Sequence, residues 1–477
     1  MEAAMFIGRS FEIKHLEEAY KAPNSRLVAI YGRRRIGKSS LVARFAEKKK
    51  HFYSFEAIEH QNTTGQIAHL TEILKRQIND PLLESMRFKN WQQVFIYLTD
   101  RIVKTNHSSQ KTILFFDEIQ WMAAGQKKLI SIIKYFWDNE WKKHNVMLIL
   151  CGSIASFMVR NVISSEALYG RINDEILLRG LLPNEISAFF GQGKSKEEIL
   201  RYMLVFGGVP KYYEEIDNTK SFAQNINLLC FRKNAVMIRE MERVFYSQFR
   251  EAQIYKKIVS LLRNGIFTFQ EIGQRLHIPS GGGLKLYCDN LENAEIINSY
   301  VPFDKKPTSK FRKYTMSDEY IAFHFRYVEP NAKVIQGSSL PKLFERITSD
   351  SLEVFFGLAF ERFCLKHALY LATVMGFGDA VLYAAPYFER ADRGFQIDLL
   401  YTRSDKTITI CEVKHRNRKI GTEVIPEMER KCSLLNIPRG YSLDRALISL
   451  YGPDPSLKKS QYFNHYVTLD DLFCVEI

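Results

Sequence analysis

The sequence predicts an α/β protein built on a buried parallel sheet, and three apolar runs predict it: Leu27-Val-Ala-Ile-Tyr31, Thr112-Ile-Leu-Phe-Phe116 and Val146-Met-Leu-Ile-Leu-Cys151. Each is apolar almost throughout, the pattern of a strand covered on both faces. Each then gives way to glycine, carboxylates or small polar residues, which carry the candidate chemistry.

The first run feeds Gly32-Arg33-Arg34-Arg35-Ile36-Gly37-Lys38-Ser39-Ser40, a G-x-x-x-x-G-K-[ST] loop, followed by a predicted helix through Ala46. Gly32 and Gly37 allow backbone N–H groups to turn inward around an anion, and the helix N-terminus adds its positive end. Lys38 is placed to reach the β- and γ-phosphates and Ser39 to hold Mg²⁺. A strand, this loop and a helix in succession make the segment a nucleoside triphosphate site.

The second run ends in Asp117-Glu118. Asp117 is expected in the Mg²⁺ shell beside Ser39, with Glu118 orienting and deprotonating the attacking water. The third ends at Ser153, the candidate γ-phosphate sensor. Arg171, in the loop before the strand-like Glu175-Ile-Leu-Leu178, either contacts phosphate or pairs with a surface acid.

A chain of 477 residues has room for about three domains on the usual scale of roughly 150 residues each. Hydrophobic residues at 46% and charged residues at 25% exclude a largely disordered protein. The formal charge of +14 favours a polyanionic partner without deciding for one. Seven cysteines, with no C-x-x-C pair and no zinc-finger spacing, point to reduced thiols. No run of about 18 apolar residues and no signal-peptide plan occur, so a soluble cytoplasmic protein is expected.

Phe6-Ile7-Gly8-Arg9-Ser-Phe-Glu12, the glycine-rich loop, Phe116-Asp117-Glu118, Cys151-Gly-Ser153 and Gly207-Gly-Val-Pro210 occur in that order. Together they resemble the archaeal-type ATPase family, in the STAND branch of the AAA+ ATPases. The resemblance implies ATP with Mg²⁺ as cofactor, Ile7, Gly8 and Arg9 near the base, and Pro210 on a helical lid. It also implies a slow, switch-like ATP hydrolysis. The expected core is residues 1–180 and the lid 181–250.

Residues 251–335 read as a winged helix. A helix over Ile254–Leu262 and a turn at Asn264-Gly265 precede a helix opened by a Thr268…Glu271 capping box. A third helix starts at Leu284, and two strands flank a basic stretch. The wing residues Lys305, Lys306, Lys310, Arg312 and Lys313 suit DNA phosphates, whereas Asp289, Glu292 and Glu295 would repel the duplex from the third helix.

Residues 340–477 carry a second constellation: Gln396-Ile-Asp398, a turn at Ser404-Asp-Lys406, then Ile408-Thr-Ile-Cys-Glu412-Val-Lys414. A hairpin centred at Asp405 sets Asp398 opposite Glu412, with Cβ atoms about 5 Å apart, close enough to share a divalent ion. Lys414 projects from the same face. Glu361, on an amphipathic helix upstream, can add a carboxylate, and His415, Arg416, Arg418 and Lys419 suit backbone phosphates. A salt-bridged hairpin is the plain alternative.

The pattern resembles the PD-(D/E)XK restriction-endonuclease-like superfamily, although Ile397 stands where its proline would. The resemblance implies Mg²⁺ on Asp398 and Glu412, completed by Glu361, with Lys414 positioning water or the scissile phosphate. The expected function is an ATP-controlled protein acting on DNA through a Mg²⁺-dependent nuclease, with a homo-oligomer or protein regulator as further partner. The alternative is a non-catalytic regulator whose nuclease-like domain only binds or dimerises. A protein remodeller is a third reading that no sequence feature favours.

Overall fold

A computed structural model of the chain describes residues 6–123, 128–249, 251–263, 265–306, 311–338, 340–389 and 394–474. The chain divides into two compact units, Met1–Gly180 and Leu181–Ile477.

In the first unit five strands, β1 (Arg26–Tyr31), β2 (Phe52–Glu56), β3 (Thr112–Asp117), β4 (Val146–Gly152) and β5 (Asp174–Leu177), form one sheet. Its order is β2-β3-β4-β1-β5 and every neighbouring pair is parallel. The three apolar runs are the three central strands, and β3 and β4 are buried at every position, as strands covered on both faces must be. Because β1 sits between β4 and β5, the loop after β1 opens beside the carboxyl ends of β4 and β3, where open α/β sheets form a crevice. Phe55, Phe95, Phe116, Phe136 and Trp141 pack in the core, and the Trp141 indole N–H donates to Thr99 Oγ1 at 2.8 Å.

The second unit begins with the helices Pro183–Ser187, Lys196–Phe206, Pro210–Tyr213, Phe222–Cys230 and Glu240–Gln248. Helices Ala252–Leu262, Phe269–Leu276 and Gly282–Asn293 follow, with an antiparallel sheet β6-β8-β7 built from β6 (Phe267–Thr268), β7 (Ile297–Tyr300) and β8 (Lys313–Met316). Thr268 and Glu271 form the capping box reciprocally. The third helix stops at Asn293, so Glu295 lies beyond it with φ 58°, while Asp289 pairs with Lys285 at 3.4 Å and Glu292 accepts from the Ser299 backbone and hydroxyl. Repulsive charge on that helix is thus partly neutralised within the fold.

The basic stretch is also engaged internally. Lys305 pairs with Asp304, Arg312 donates to Ser299 Oγ, and Lys313 donates to the Phe388 carbonyl. Asn264 and Lys310 lie outside the described residues.

The unit ends in helix Leu352–Lys366, strands β9 (Val381–Glu389), β10 (Phe395–Arg403) and β11 (Thr407–Lys414), helix Ile425–Leu434, and strands β12 (Ser442–Ser449) and β13 (His465–Val467). The sheet order is β13-β12-β11-β10-β9, antiparallel from β9 to β11 and parallel from β11 to β13. Ile397, Leu400, Ile408, Ile410, Met428 and Leu447 form its core. Among the described residues no helix is long and apolar enough to cross a membrane.

Candidate functional site

After β1 the chain turns at Gly32 with φ 151°, and a Cβ there would stand 2.4 Å from the Leu178 carbonyl oxygen, so only glycine fits. Arg35 and Gly37 are left-handed, with φ 68° and 93°, and Gly37 caps helix Lys38–Ala46. Lys38 is buried, its ammonium donating to the Gly32 and Arg33 carbonyls at 3.1 and 3.0 Å. Arg9, left-handed just ahead of helix Ser10–Lys21, is buried and donates to the Ile36 carbonyl at 3.1 Å, bracing the loop from outside. Arg34 and Ser40 are exposed, as is Gly8; Ile7 is half-buried.

Ser39 Oγ donates to Asp117 Oδ2 at 2.5 Å. Burial raises the Asp117 carboxyl above the usual carboxylate range, against the Ser39 hydrogen bond. Burial also raises Glu56, which pairs with Asp117 across the β2–β3 register, with the Asp117 and Glu118 charges adding to the shift. Glu118 is left-handed, φ 52°, and its Oε2 accepts from Ser153 Oγ at 2.7 Å, from the Ser153 N–H at 3.2 Å and from the Gln120 amide. Gln120 donates to Ser153 Oγ at 3.1 Å as well, closing a triangle.

A hydroxyl and a carboxylate in contact are hard oxygen donors suited to Mg²⁺. A buried ammonium held by neutral carbonyls beside a helix N-terminus suits the phosphates that Mg²⁺ accompanies. The residues present therefore fit a Mg²⁺-bound nucleoside triphosphate. Gln120 and Glu56 were not singled out in the sequence, although a glutamine two residues past Glu118 and an acid ending a strand were both readable.

Arg171 departs from the phosphate role. Its guanidinium grips Asp138 in a fork, Nε to Oδ1 and Nη2 to Oδ2 both at 2.9 Å, and holds that carboxyl at about 2. In the second unit Pro210 opens helix Pro210–Tyr213. Three residues earlier Gly207 has φ 63°, and a Cβ there would lie 2.4 Å from Glu319 Oε2.

On the C-terminal sheet the β10–β11 register runs from Thr402 with Ile408 to Leu399 with Cys411 and stops one step short of the expected pair of Asp398 with Glu412. Asp398 Oδ2 accepts from the Val413 N–H at 3.1 Å. Glu412 is 1% exposed and clasped by cations on both oxygens, Lys414 at 2.5 Å and Lys431 at 2.6 Å. Lys431 comes from helix Ile425–Leu434 and was not anticipated, because nothing local marks a lysine 19 residues downstream as its partner.

Burial, then the Asp398 charge, raises the Glu361 carboxyl to about 7. Asp398 is raised by burial and then by Glu412. Among the described residues no three His, Cys, Asp or Glu side chains form a cluster able to hold a metal ion by themselves. The His415 ring packs against Phe356 and Phe360, and Arg416 and Arg418 face Glu423 at 3.5 and 3.9 Å, so much of the basic run is engaged within the fold.

The loop, the helix N-terminus and the β3 carboxylate on this sheet define a P-loop nucleoside triphosphatase domain. Residues 6–216 match the family described as an ATPase domain predominantly from Archaea. Residues 324–425, which include Glu361, Asp398, Glu412 and Lys414, match a family described as Archaea bacterial proteins of unknown function.

An uncharacterised protein of Methanocaldococcus jannaschii is 27% identical over 437 residues, 91% of this chain and 93% of its own length. An uncharacterised ATP-binding protein of that organism is 41% identical over 46 residues, 10% of this chain and 78% of its own. Among solved structures, a Walker-type ATPase of Pyrococcus abyssi is 22% identical with a TM-score of 0.49, covering 67% of this chain and 96% of that one. The ORC2 protein of Aeropyrum pernix is 14% identical with a TM-score of 0.41, covering 70% and 96%. A STAND protein with a tetratricopeptide repeat sensor from Pyrococcus horikoshii is 17% identical with a TM-score of 0.33, covering 79% and 51%.

Proposed function

We propose that the chain is an ATP-driven switch acting on DNA, with a Mg²⁺-dependent nuclease centre on its C-terminal sheet. In the ATPase site Lys38 neutralises the β- and γ-phosphates, Ser39 and Asp117 hold the ion, and Glu118 takes the proton of the attacking water once released from Ser153. Residues 181–250 serve as the lid and 251–335 as a winged helix, whose basic stretch after β7 offers phosphate contacts.

The observation that carries the nuclease reading is a topology with its charged side chains close together. A helix bearing Glu361, the β9-β10-β11 meander, a helix and a parallel β12 follow in order, with Asp398 accepting from the Val413 N–H next to Glu412 and Lys414 paired with Glu412. Packed carboxyls that shift upward without a cation suit a divalent ion, which would acidify a bound water and stabilise the leaving phosphate. Lys414, released from Glu412, would face the scissile phosphate.

Nicking of supercoiled plasmid with Mg²⁺ or Mn²⁺, with and without ATP, tests the reading. Cleavage lost in Asp398→Ala and altered by ATP only in chains retaining Lys38 supports it. Cleavage indifferent to Asp398→Ala overturns the nuclease, and cleavage indifferent to ATP overturns the coupling. The double lysine clasp on Glu412 favours a second reading, a regulator whose sheet domain only binds. In that case Mn²⁺ binds the wild type no better than Asp398→Ala.

A further inference from the structure

Arg362 stands on helix Leu352–Lys366, one residue past Glu361. Its Nε and Nη2 atoms are buried and have no hydrogen-bond partner. A guanidinium stays charged under all ordinary conditions, so two buried nitrogens of one without partners are a standing cost to the fold unless something else satisfies them. Two of the three nearby acids are engaged elsewhere: both Glu319 oxygens accept from Lys366, at 3.0 and 2.7 Å, and Asp318 accepts from the Ile321 N–H at 2.7 Å.

Arg362 lines a cavity of about 280 Å³. Two more arginines, Arg263 and Arg326, line the same cavity, and among the described residues no carboxylate does. Arg263 is fixed by donating to the Phe325 carbonyl at 2.9 Å, with Glu329 outside the lining at 3.7 Å. The exposed Arg326 makes no ion pair among the described residues. The remaining wall is apolar and aromatic: Arg263 lies over the Phe325 ring and Arg362 over Phe355, at 5.8 and 5.6 Å. Leu358, 52% exposed, also lines it.

We propose that this cavity is a binding site for a small organic oxyanion, a phosphate or carboxylate group on a compact apolar or aromatic body. Three guanidinium groups offer planar forks that match either oxyanion, and the two rings accept the body. The volume fits one ring and its acidic group and is small for a nucleoside triphosphate. No P-loop residue and none of Glu361, Asp398, Glu412 and Lys414 lines it, and the proposal does not depend on nuclease or DNA activity.

The test titrates the full chain, kept saturated with ADP and Mg²⁺ so that the P-loop is filled, with phenyl phosphate, benzoate and inorganic phosphate by calorimetry. Phenyl phosphate or benzoate binds at one site per chain, and Arg362→Met weakens it by about tenfold or more. Arg326→Met, at an exposed position, weakens it less. Tighter binding of phenyl phosphate marks a phosphorylated ligand, and tighter binding of benzoate a carboxylate. Without ligand, Arg362→Met melts above the wild type, because it removes two buried donors without partners. No binding of either aromatic probe, or equal binding by wild type and both variants, overturns the proposal. Inorganic phosphate binding as tightly as phenyl phosphate overturns the apolar body.

Discussion

At the P-loop a buried cation, Lys38, is held by neutral carbonyls, whereas on the C-terminal sheet a buried anion, Glu412, is held by cations. The difference teaches what each site is ready for. A charge balanced by dipoles keeps its net field and attracts an opposite charge, here the phosphates. A charge balanced by counter-charges presents no field, and a ligand must displace a partner first.

The largest effect that breaks this comparison is Lys38→Ala. It removes the net field, and ATP hydrolysis is expected to fall by about 10²–10³-fold in a phosphate-release assay. A fall no greater than a few-fold would mean that the carbonyl-held lysine is structural.

Lys431→Met tests the opposite arrangement by leaving Glu412 with one of its cations. It is expected to destabilise the second unit by about 3 kcal/mol in denaturant unfolding, with recovery in the double variant Lys431→Met/Glu412→Leu, where no charge remains. A single variant as stable as wild type would show that Lys414 alone suffices.

Glu361 sharpens the contrast through pH. Its carboxyl lies at about 7 in the fold against an ordinary 4.5, so the folded state retains a proton that the unfolded chain has released. The stability it contributes is complete below about 4.5 and is lost as pH rises through about 7, a change on the order of 2 kcal/mol. Glu361→Gln should flatten that part of the stability profile, and Mn²⁺ should flatten it in the wild type if a cation enters among these carboxyls.

The smallest effect belongs to Arg171→Ala. Asp138 keeps Lys134 at 3.2 Å and Lys142 at 3.7 Å, and the pair is partly exposed, so the cost by thermal unfolding is about 1 kcal/mol or less.

What was legible in the sequence was local or periodic. The apolar runs became β1, β3 and β4, the capping box at Thr268 formed, and the turn at Asp405 joined β10 and β11 as a hairpin. What was not legible joins distant segments: Lys431 to Glu412, Asp138 to Arg171, Arg9 to the Ile36 carbonyl. Each is a long side chain meeting its partner only after the elements have packed, and no spacing rule encodes it. The third helix ended before Glu295 because that residue adopts a left-handed conformation.

The two neighbours of β11 join it by routes of different length, and that sets an order in time. β10 meets β11 through the short turn Ser404–Lys406, a closure on the scale of about 1–10 μs for a hairpin. Lys431 comes from helix Ile425–Leu434 and β12 follows that helix, so both reach β11 across a longer stretch of chain. Glu412 therefore has one cation, Lys414, supplied by its own strand, and receives the second, Lys431, only when that helix docks.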